Sequence, residues 1–434
     1  MRTLLRLVPF YRKYFKLMVF GYIAVIGNAL FNLLVPSLVG RAVDQGVGQR
    51  DITQLIVLSL LIMVFSAARG ICAFLQGYLG ENAAQGGSYE LRNALYAHIQ
   101  KLAFSFHDQA QTGELLARAT SDVEQLRNFT GRGLLMIFNL ILLIVGVTIA
   151  LIGMNWMLAL LALLMLPALY WRAAKYSTTV RPMFRRVQDQ IARVAVIVQD
   201  NAAGARVVKA FGRRQEEIDR FDRANDILYD DYLESTRQAS FNTPLLDFMA
   251  NGSMIAMLTL GGYLVIAHSL TMGELVAFYT YLLQVVAPIR RGGFLMSMAS
   301  RAAASSERVL EILDTPVVVA DKPDAMDLPA INGRVELDNV SCSYHPGRPV
   351  IENVSFTAEP GQMIALVGAT GSGKTTVANL LPRFYDVSAG AVLIDGYDVR
   401  NVKINSLRQQ VGVVMQETTL FSGSIRENIG FGRP

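Results

Sequence analysis

Long apolar runs alternate with polar, helix-forming stretches along most of the chain, and near residue 332 the pattern changes to short alternating strands. Six runs approach the roughly 20 residues that cross a bilayer as a helix. They are Leu17–Leu38, Ile52–Leu79, Gly133–Met154, Trp156–Tyr170, Pro244–Ala267 and Met272–Ile289. The fourth is short and the sixth carries polar residues, which leaves those boundaries soft. Short loops join spans one to two, three to four and five to six. Long polar segments separate two from three and four from five. They are nearly free of Pro and rich in helix formers, as in Glu114–Arg127 and Glu216–Tyr232. They read as helical hairpins reaching about 35–50 Å beyond the membrane at 1.5 Å per residue. A disordered loop would need a Pro, Gly and Ser bias that neither segment has.

Ahead of the first span, Leu4, Leu7, Val8, Tyr11 and Phe15 share one helical side and Arg2, Arg6, Arg12, Lys13 and Lys16 the other. That pattern suits a helix over residues 1–15 lying in the headgroup plane, or an ordinary amphipathic surface helix. No small-residue cleavage pattern follows, so it is not read as a removable signal. The six-helix region spans 16–312. Asp314-Thr315-Pro316, Asp321-Lys322-Pro323 and Pro329 mark a linker over 313–331. From 332 to 434, Arg334–Val340 and Val354–Ala358 alternate, His345-Pro346-Gly347 reads as a turn with His345 solvated, and Met363–Val367 reads as a buried apolar strand. The fold class is a membrane all-α domain with long helical extensions, followed by the N-terminal part of an α/β domain.

Composition agrees with a membrane protein. The chain is 52% hydrophobic and 17% charged, with a mean hydropathy of +0.34, against about 25% charged in soluble domains. The net charge of +5 fits basic cytoplasmic loops better than nucleic acid, because Lys and Arg resist translocation. Among the short loops only Arg41 and Arg50 are basic, so the hairpins and both termini are expected on the cytoplasmic side of a multi-pass inner or plasma membrane protein. Cys72 and Cys342 stand in unlike settings and build neither a disulfide framework nor a zinc site.

Gly368-Ala369-Thr370-Gly371-Ser372-Gly373-Lys374-Thr375 fits the phosphate-loop pattern at every fixed position. It follows the apolar run Met363–Val367 and opens a helix over Thr375–Leu381 that Pro382 ends. Glycines let the backbone wrap phosphates, and its N–H groups converge on the anion. Lys374 would reach the β- and γ-phosphates, the Thr375 hydroxyl would ligate Mg²⁺, and Thr376 is expected among the nucleotide-binding residues.

Six spans, two long hairpins and a C-terminal phosphate loop together resemble a half-transporter of the ABC exporter superfamily. Further stretches carry the likeness: Phe106-His107-Asp108 through Thr112-Gly113-Glu114-Leu115-Leu116, Gly204 to Phe211, Leu393 to Val399, and Val413-Val414-Met415-Gln416-Glu417. The resemblance implies coupling helices near 106–113 and 203–213 that dock on ATP-binding domains, the second typically on the partner's. It implies that Tyr344 stacks on adenine, as an aromatic face can, and that Gln416 senses Mg²⁺ and the γ-phosphate. ATP and Mg²⁺ are the expected cofactors. A second half-transporter, in a homo- or heterodimer, membrane lipids and an amphipathic small molecule, drug or lipid are the expected partners. Export would proceed by alternating access.

The chain departs from the family after the phosphate loop. It has no Leu-Ser-Gly-Gly-Gln-like signature, no apolar run ending in Asp-Glu and no switch histidine. It is therefore read as truncated and inactive alone, with no catalytic residue of its own and a marginal, partly exposed second domain, while its full-length parent is an ATPase. Two other readings stand beside this one: a non-hydrolysing, nucleotide-binding partner in a heterodimer, and a peptide- or lipid-specific exporter. Asn28, Asn32, Arg69, Asn139, Asp247, Asn251 and Gln284 lie in or near the spans. Asp247 and Arg69 fit a substrate route, an interfacial position or a structural pair. The 17 methionines read as lipid-facing filler ahead of an adaptable ligand surface.

Overall fold

The computed structural model describes residues 2–345, 347–416 and 419–432, with side chains at all of these except 2, 161–166, 169, 170, 250, 253, 286–293 and 345. The principal helices are α1 (Phe15–Arg41), α2 (Ile52–Lys101), α3 (Phe104–His107), α4 (the helical run Thr112–Met154), α5 (Trp156–Ala203), α6 (Ala205–Ala210), α7 (Arg214–Ile266) and α8 (Met272–Asp314). The chain divides into two compact units. One is Met1–Arg92 with Ser121–Glu307, and the other is Asn93–Thr120 with Arg308–Pro434.

Among the described residues, four helical runs are long and apolar enough to cross a membrane: Thr3–Gly48, Ile52–Lys101, Thr112–Met154 and Arg214–Ile266. They carry the first, second, third and fifth expected spans. The fourth and sixth fall within α5 and α8, and part of their side chains lies outside the described residues. The polar stretches between spans are helical. With 50 residues, α2 is about 75 Å long, far beyond a bilayer's apolar thickness. The second hairpin is α5 running along α7, joined through Gly204, α6 and Gly212 (φ +67°).

Local chemistry sets the sharp turns. A single residue, Asn155, in an extended conformation (φ −155°), joins α4 to α5. Its side chain accepts the N–H groups of Met157 at 3.1 Å and Leu158 at 3.0 Å, capping α5. The core of the first unit gathers Val147, Leu151, Leu158, Met257, Phe278 and Tyr281. Large apolar side chains on α2, among them Met63, Val64, Ile71 and Phe74, face outward, as a hydrocarbon-facing surface does. Polar span residues bond one another: Asn28 to Gln76 at 3.2 Å and Asn32 to Gln284 at 3.3 Å. Arg69 is exposed on α2, and Asp247 is half-buried on α7.

The N-terminal stripe is not one helix. Residues 2–14 form three short turns, Arg2–Leu5, Val8–Tyr11 and Arg12–Tyr14. Leu7 and Tyr11 turn into the protein, Tyr11 sharing a hydrogen bond with Thr130 at 3.1 Å, while Val8 and Phe15 stay exposed. Pro9 at the start of the second turn supplies no N–H, which accounts for the break.

The second unit contains an antiparallel sheet of four strands in the order β2-β1-β3-β4, from β1 (Val335–His345), β2 (Arg348–Ala358), β3 (Ala389–Ile394) and β4 (Tyr397–Asp398). Leu337 lies opposite Phe356 on β2 and Val392 on β3. The sheet's core joins Leu337, Val340, Cys342 and Ile351 to Val377 and Leu380 of α9 (Lys374–Leu380), and to Leu407 of α10 (Ile404–Arg408). A last short helix, α11 (Ile425–Ile429), begins with a Ser424–Glu427 capping box.

One expectation fails here. Met363–Val367 is not a buried strand: it joins no ladder among the described residues, and Met363 and Val367 are 94% and 93% exposed. Val413–Met415 likewise joins no ladder among the described residues and is exposed. An apolar strand is buried only where neighbouring strands and helices cover it, and the four described strands do not. The expected turn at His345-Pro346-Gly347 joins β1 to β2, but Pro346 and the His345 side chain lie outside the described residues.

Candidate nucleotide site

The loop Gly368–Thr375 leads straight into α9. Gly371 and Gly373 take φ of +83° and +88°, in the left-handed region that L side chains rarely adopt. At Gly373 space is short as well, because a Cβ there would lie 2.4 Å from Cγ2 of Ile351 on β2. The sheet therefore presses the loop from behind, and glycine is needed twice over.

Lys374 turns its ammonium back into the loop. Nζ donates to the carbonyl oxygens of Gly368 at 3.0 Å and Ala369 at 2.7 Å, and to the Ser372 hydroxyl at 3.3 Å. The first-turn amides of α9 have no partner within the helix, so amides, the ammonium and the Ser372 and Thr375 hydroxyls supply one donor set of net positive charge. That set suits phosphate oxygens. Thr375 is exposed, whereas Thr376 is buried. Among the described residues no cluster of three His, Cys, Asp or Glu side chains forms a metal cage. A divalent cation at this loop would thus share its ligands with phosphates, as Mg²⁺ commonly does.

Tyr344, at the end of β1, is brought to the loop. Its hydroxyl and that of Thr376 share a hydrogen bond of 2.9 Å, and the residue is 37% exposed. Gln416 is not brought in. It stands exposed outside any helix or strand, with no side-chain hydrogen bond to the loop among the described residues. Glu417 lies outside them.

Sequence reasoning overlooked Phe384 and Tyr385, which follow the end of α9. The ring of Tyr385 meets that of Tyr344 edge-on, with centroids 4.8 Å apart at 74°. Its hydroxyl donates to the carboxylate of Asp108, just beyond α3. Burial, reinforced by this carboxylate, pushes the Tyr385 phenol well above its ordinary range. Burial also raises the Cys342 thiol. Phe384 stacks on Phe104 of α3, with centroids 4.2 Å apart at 29°. Arg118 joins Glu311 at 3.0 Å, and His98 Nε2 lies 2.9 Å from the Thr315 carbonyl oxygen. The available signal was two adjacent aromatics in a polar stretch directly after a helix stop.

Comparison with known proteins agrees with this geometry. The model of the ABC transporter transmembrane region matches residues 18–289, and the ABC transporter model matches residues 351–433. The uncharacterized ABC transporter ATP-binding protein YknU of Bacillus subtilis (strain 168) is 35% identical over 435 residues, covering 100% of this chain and 74% of that protein. An ATP-dependent lipid A-core flippase of Syntrophus aciditrophicus is 32% identical over 408 residues, covering 94% of this chain and 68% of the flippase. A fatty acid ABC transporter ATP-binding/permease protein of Mycobacterium bovis is 32% identical over 390 residues, covering 90% of this chain and 61% of that protein. The apolar helical region, the glycine loop closed around Lys374 and these matches together establish that the chain belongs to the ABC transporter family, among the exporter half-transporters that join a transmembrane region to an ATP-binding domain.

Proposed function

We propose that this protein drives export of a lipid or lipid-like amphiphile across the cytoplasmic membrane, as one half of a dimer working by alternating access. The observation that carries the reading is the pairing of Lys374, held inside the glycine loop, with Tyr344, tied by Thr376 to the helix that the loop opens. A phosphate anchor at the start of a short helix, and an aromatic platform on β1 bonded to that helix's first turn, suit the two ends of ATP. Lys374 and the loop amides would hold the phosphates, and the Tyr344 ring would receive the adenine. Thr375 would hold Mg²⁺, which would neutralise phosphate charge when bound, and Gln416, which stands away from the loop here, would join it only once its segment is brought in. Support for a lipid comes from the names of two relatives, a lipid A-core flippase and a fatty acid transporter.

The hairpin tips near 106–113 and 203–213 serve as coupling helices, the second on the partner's ATP-binding domain, with both termini cytoplasmic. Turnover belongs to an assembly that also holds a signature sequence and an acidic pair. The test is Lys374→Ala. ATP affinity should fall at least tenfold in this chain, and flipping of a fluorescent phospholipid should cease in proteoliposomes of a chain carrying those further groups. Survival of both activities would overturn the reading.

A further inference from the structure

Two consecutive aromatics, Phe384 and Tyr385, anchor the tip of the first hairpin inside the second unit. Phe384 stacks on Phe104, and the Arg408 guanidinium lies over its ring, 5.2 Å from the centroid. Tyr385 donates to Asp108 and presses edge-on against Tyr344, whose hydroxyl meets Thr376. An unbroken line of side chains, Asp108–Tyr385–Tyr344–Thr376, thus runs from the hairpin to the first turn of the loop helix.

The backbone beneath this line is fixed. Arg383 adopts φ +53°, a conformation that persists in a non-glycine residue only where its surroundings enforce it. Those surroundings are the Asp386 carboxylate at 2.7 Å, the Ala320 carbonyl oxygen at 3.2 Å, and Arg408, which donates to the carbonyl oxygens of Pro382 and Arg383 at 3.0 Å each. With its backbone held, Tyr385 answers to its two neighbours, one on the hairpin and one at the nucleotide site.

We infer that Tyr385 is a positioning residue that couples stacking of a purine base on Tyr344 to the placement of the first hairpin tip through Asp108. This rests on the reading of Tyr344 as base platform and Lys374 as phosphate anchor. A base stacked on the Tyr344 ring narrows that ring's orientations and, through the edge-on contact, those of Tyr385. The hydroxyl of Tyr385 is then better held on Asp108. By linkage, a docked hairpin favours the base to the same degree. Phosphates bound at Lys374 alone meet this line only at its Thr376 end and place nothing on the Tyr344 ring.

The test compares ATP with inorganic tripolyphosphate, which has phosphates and no base, on the whole chain in lipid nanodiscs. Tyr385→Leu should weaken ATP about threefold to tenfold, as loss of an aromatic pair does, and leave tripolyphosphate affinity unchanged. Tyr385→Phe keeps the ring and loses the donor. It should change ATP affinity less than about threefold, yet abolish the hydrogen-exchange protection that ATP confers on amides 104–108. Asp108→Asn should do the same, and the double variant should add nothing. Equal losses for ATP and tripolyphosphate in Tyr385→Leu, or full ATP-dependent protection in Tyr385→Phe, would overturn the inference. Lys374→Ala is the separate control: if it spares both ligands, the phosphate-loop reading fails whatever Tyr385 does.

Discussion

The carboxylate of Asp44, just past α1, accepts the Thr271 hydroxyl at 2.6 Å and the Gly273 N–H at 2.7 Å, clasping the end of one helix to the start of α8. Thr271 and Glu274 complete a capping box across the same turn, with bonds of 2.8 and 3.0 Å. The crossing is tight enough that a Cβ on Gly273 would lie 1.9 Å from the Gly40 carbonyl oxygen. Asp44 therefore caps a helix to which it does not belong, at a point where the two backbones touch.

Removing that carboxylate should loosen the crossing. Asp44→Ala strands one hydroxyl and one amide, a loss of about 1–3 kcal/mol, and Asp44→Asn, which keeps an acceptor, should lose less. Thermal scans in detergent check the order. Equal midpoints for Ala, Asn and the parent chain would show that the clasp contributes nothing.

Gly373→Ala should damage the nucleotide site from inside the fold. The left-handed φ costs an L residue about 1–2 kcal/mol, and the contact with Ile351 adds overpacking of about 1–3 kcal/mol. ATP affinity should drop tenfold or more, with a lowered unfolding midpoint. A cavity-making second change, Ile351→Ala, should recover part of the affinity, as nucleotide titration would reveal.

Stability of the second unit should depend on pH through Asp395. This residue and Gly396, at φ +47° and +85°, form the two-residue turn between β3 and β4. The N–H of Arg334, followed by those of Asn332 and Gly333, holds the Asp395 carboxyl below its ordinary value. A depressed folded pKa means that the unfolded chain binds the proton more readily. The stabilisation is therefore complete above about pH 4, the unfolded value, and is lost as pH falls through the folded one. Unfolding midpoints taken from pH 7 down to pH 3 should fall less steeply in Asp395→Asn than in the parent chain.

Phe211, at the tip of the second hairpin, is 77% exposed and Val207 59%. Phe211→Ser should leave the unfolding midpoint within about 0.5 kcal/mol of the parent. A photo-crosslinking side chain placed there should capture the ATP-binding domain of a second copy. Mixing isotopically heavy and light chains distinguishes this from capture within one chain, and purely same-mass products would refute the partner docking.

Much of this architecture was legible in local patterns. A helix satisfies its own backbone, so apolar length and helical period are enough to announce spans and hairpins, and α2 and α7 follow them closely. The phosphate loop was equally legible, since its glycines answer to local dihedrals and its lysine lies in the same turn. Tyr344 was found only through family likeness, and its bond to Thr376 emerged from the fold.

The sequence by itself determined what one segment can settle alone: membrane-length helices and the glycine loop that carries Lys374. Only the tertiary structure decided what needs a distant partner. Met363–Val367 is as apolar as a buried strand should be, yet a strand forms by pairing, and no described strand pairs with it. Tyr385 meets Asp108 across 277 positions of chain. No local period carries such information, because a contact of that kind is specified by how the helices and the sheet pack rather than by either residue's neighbours.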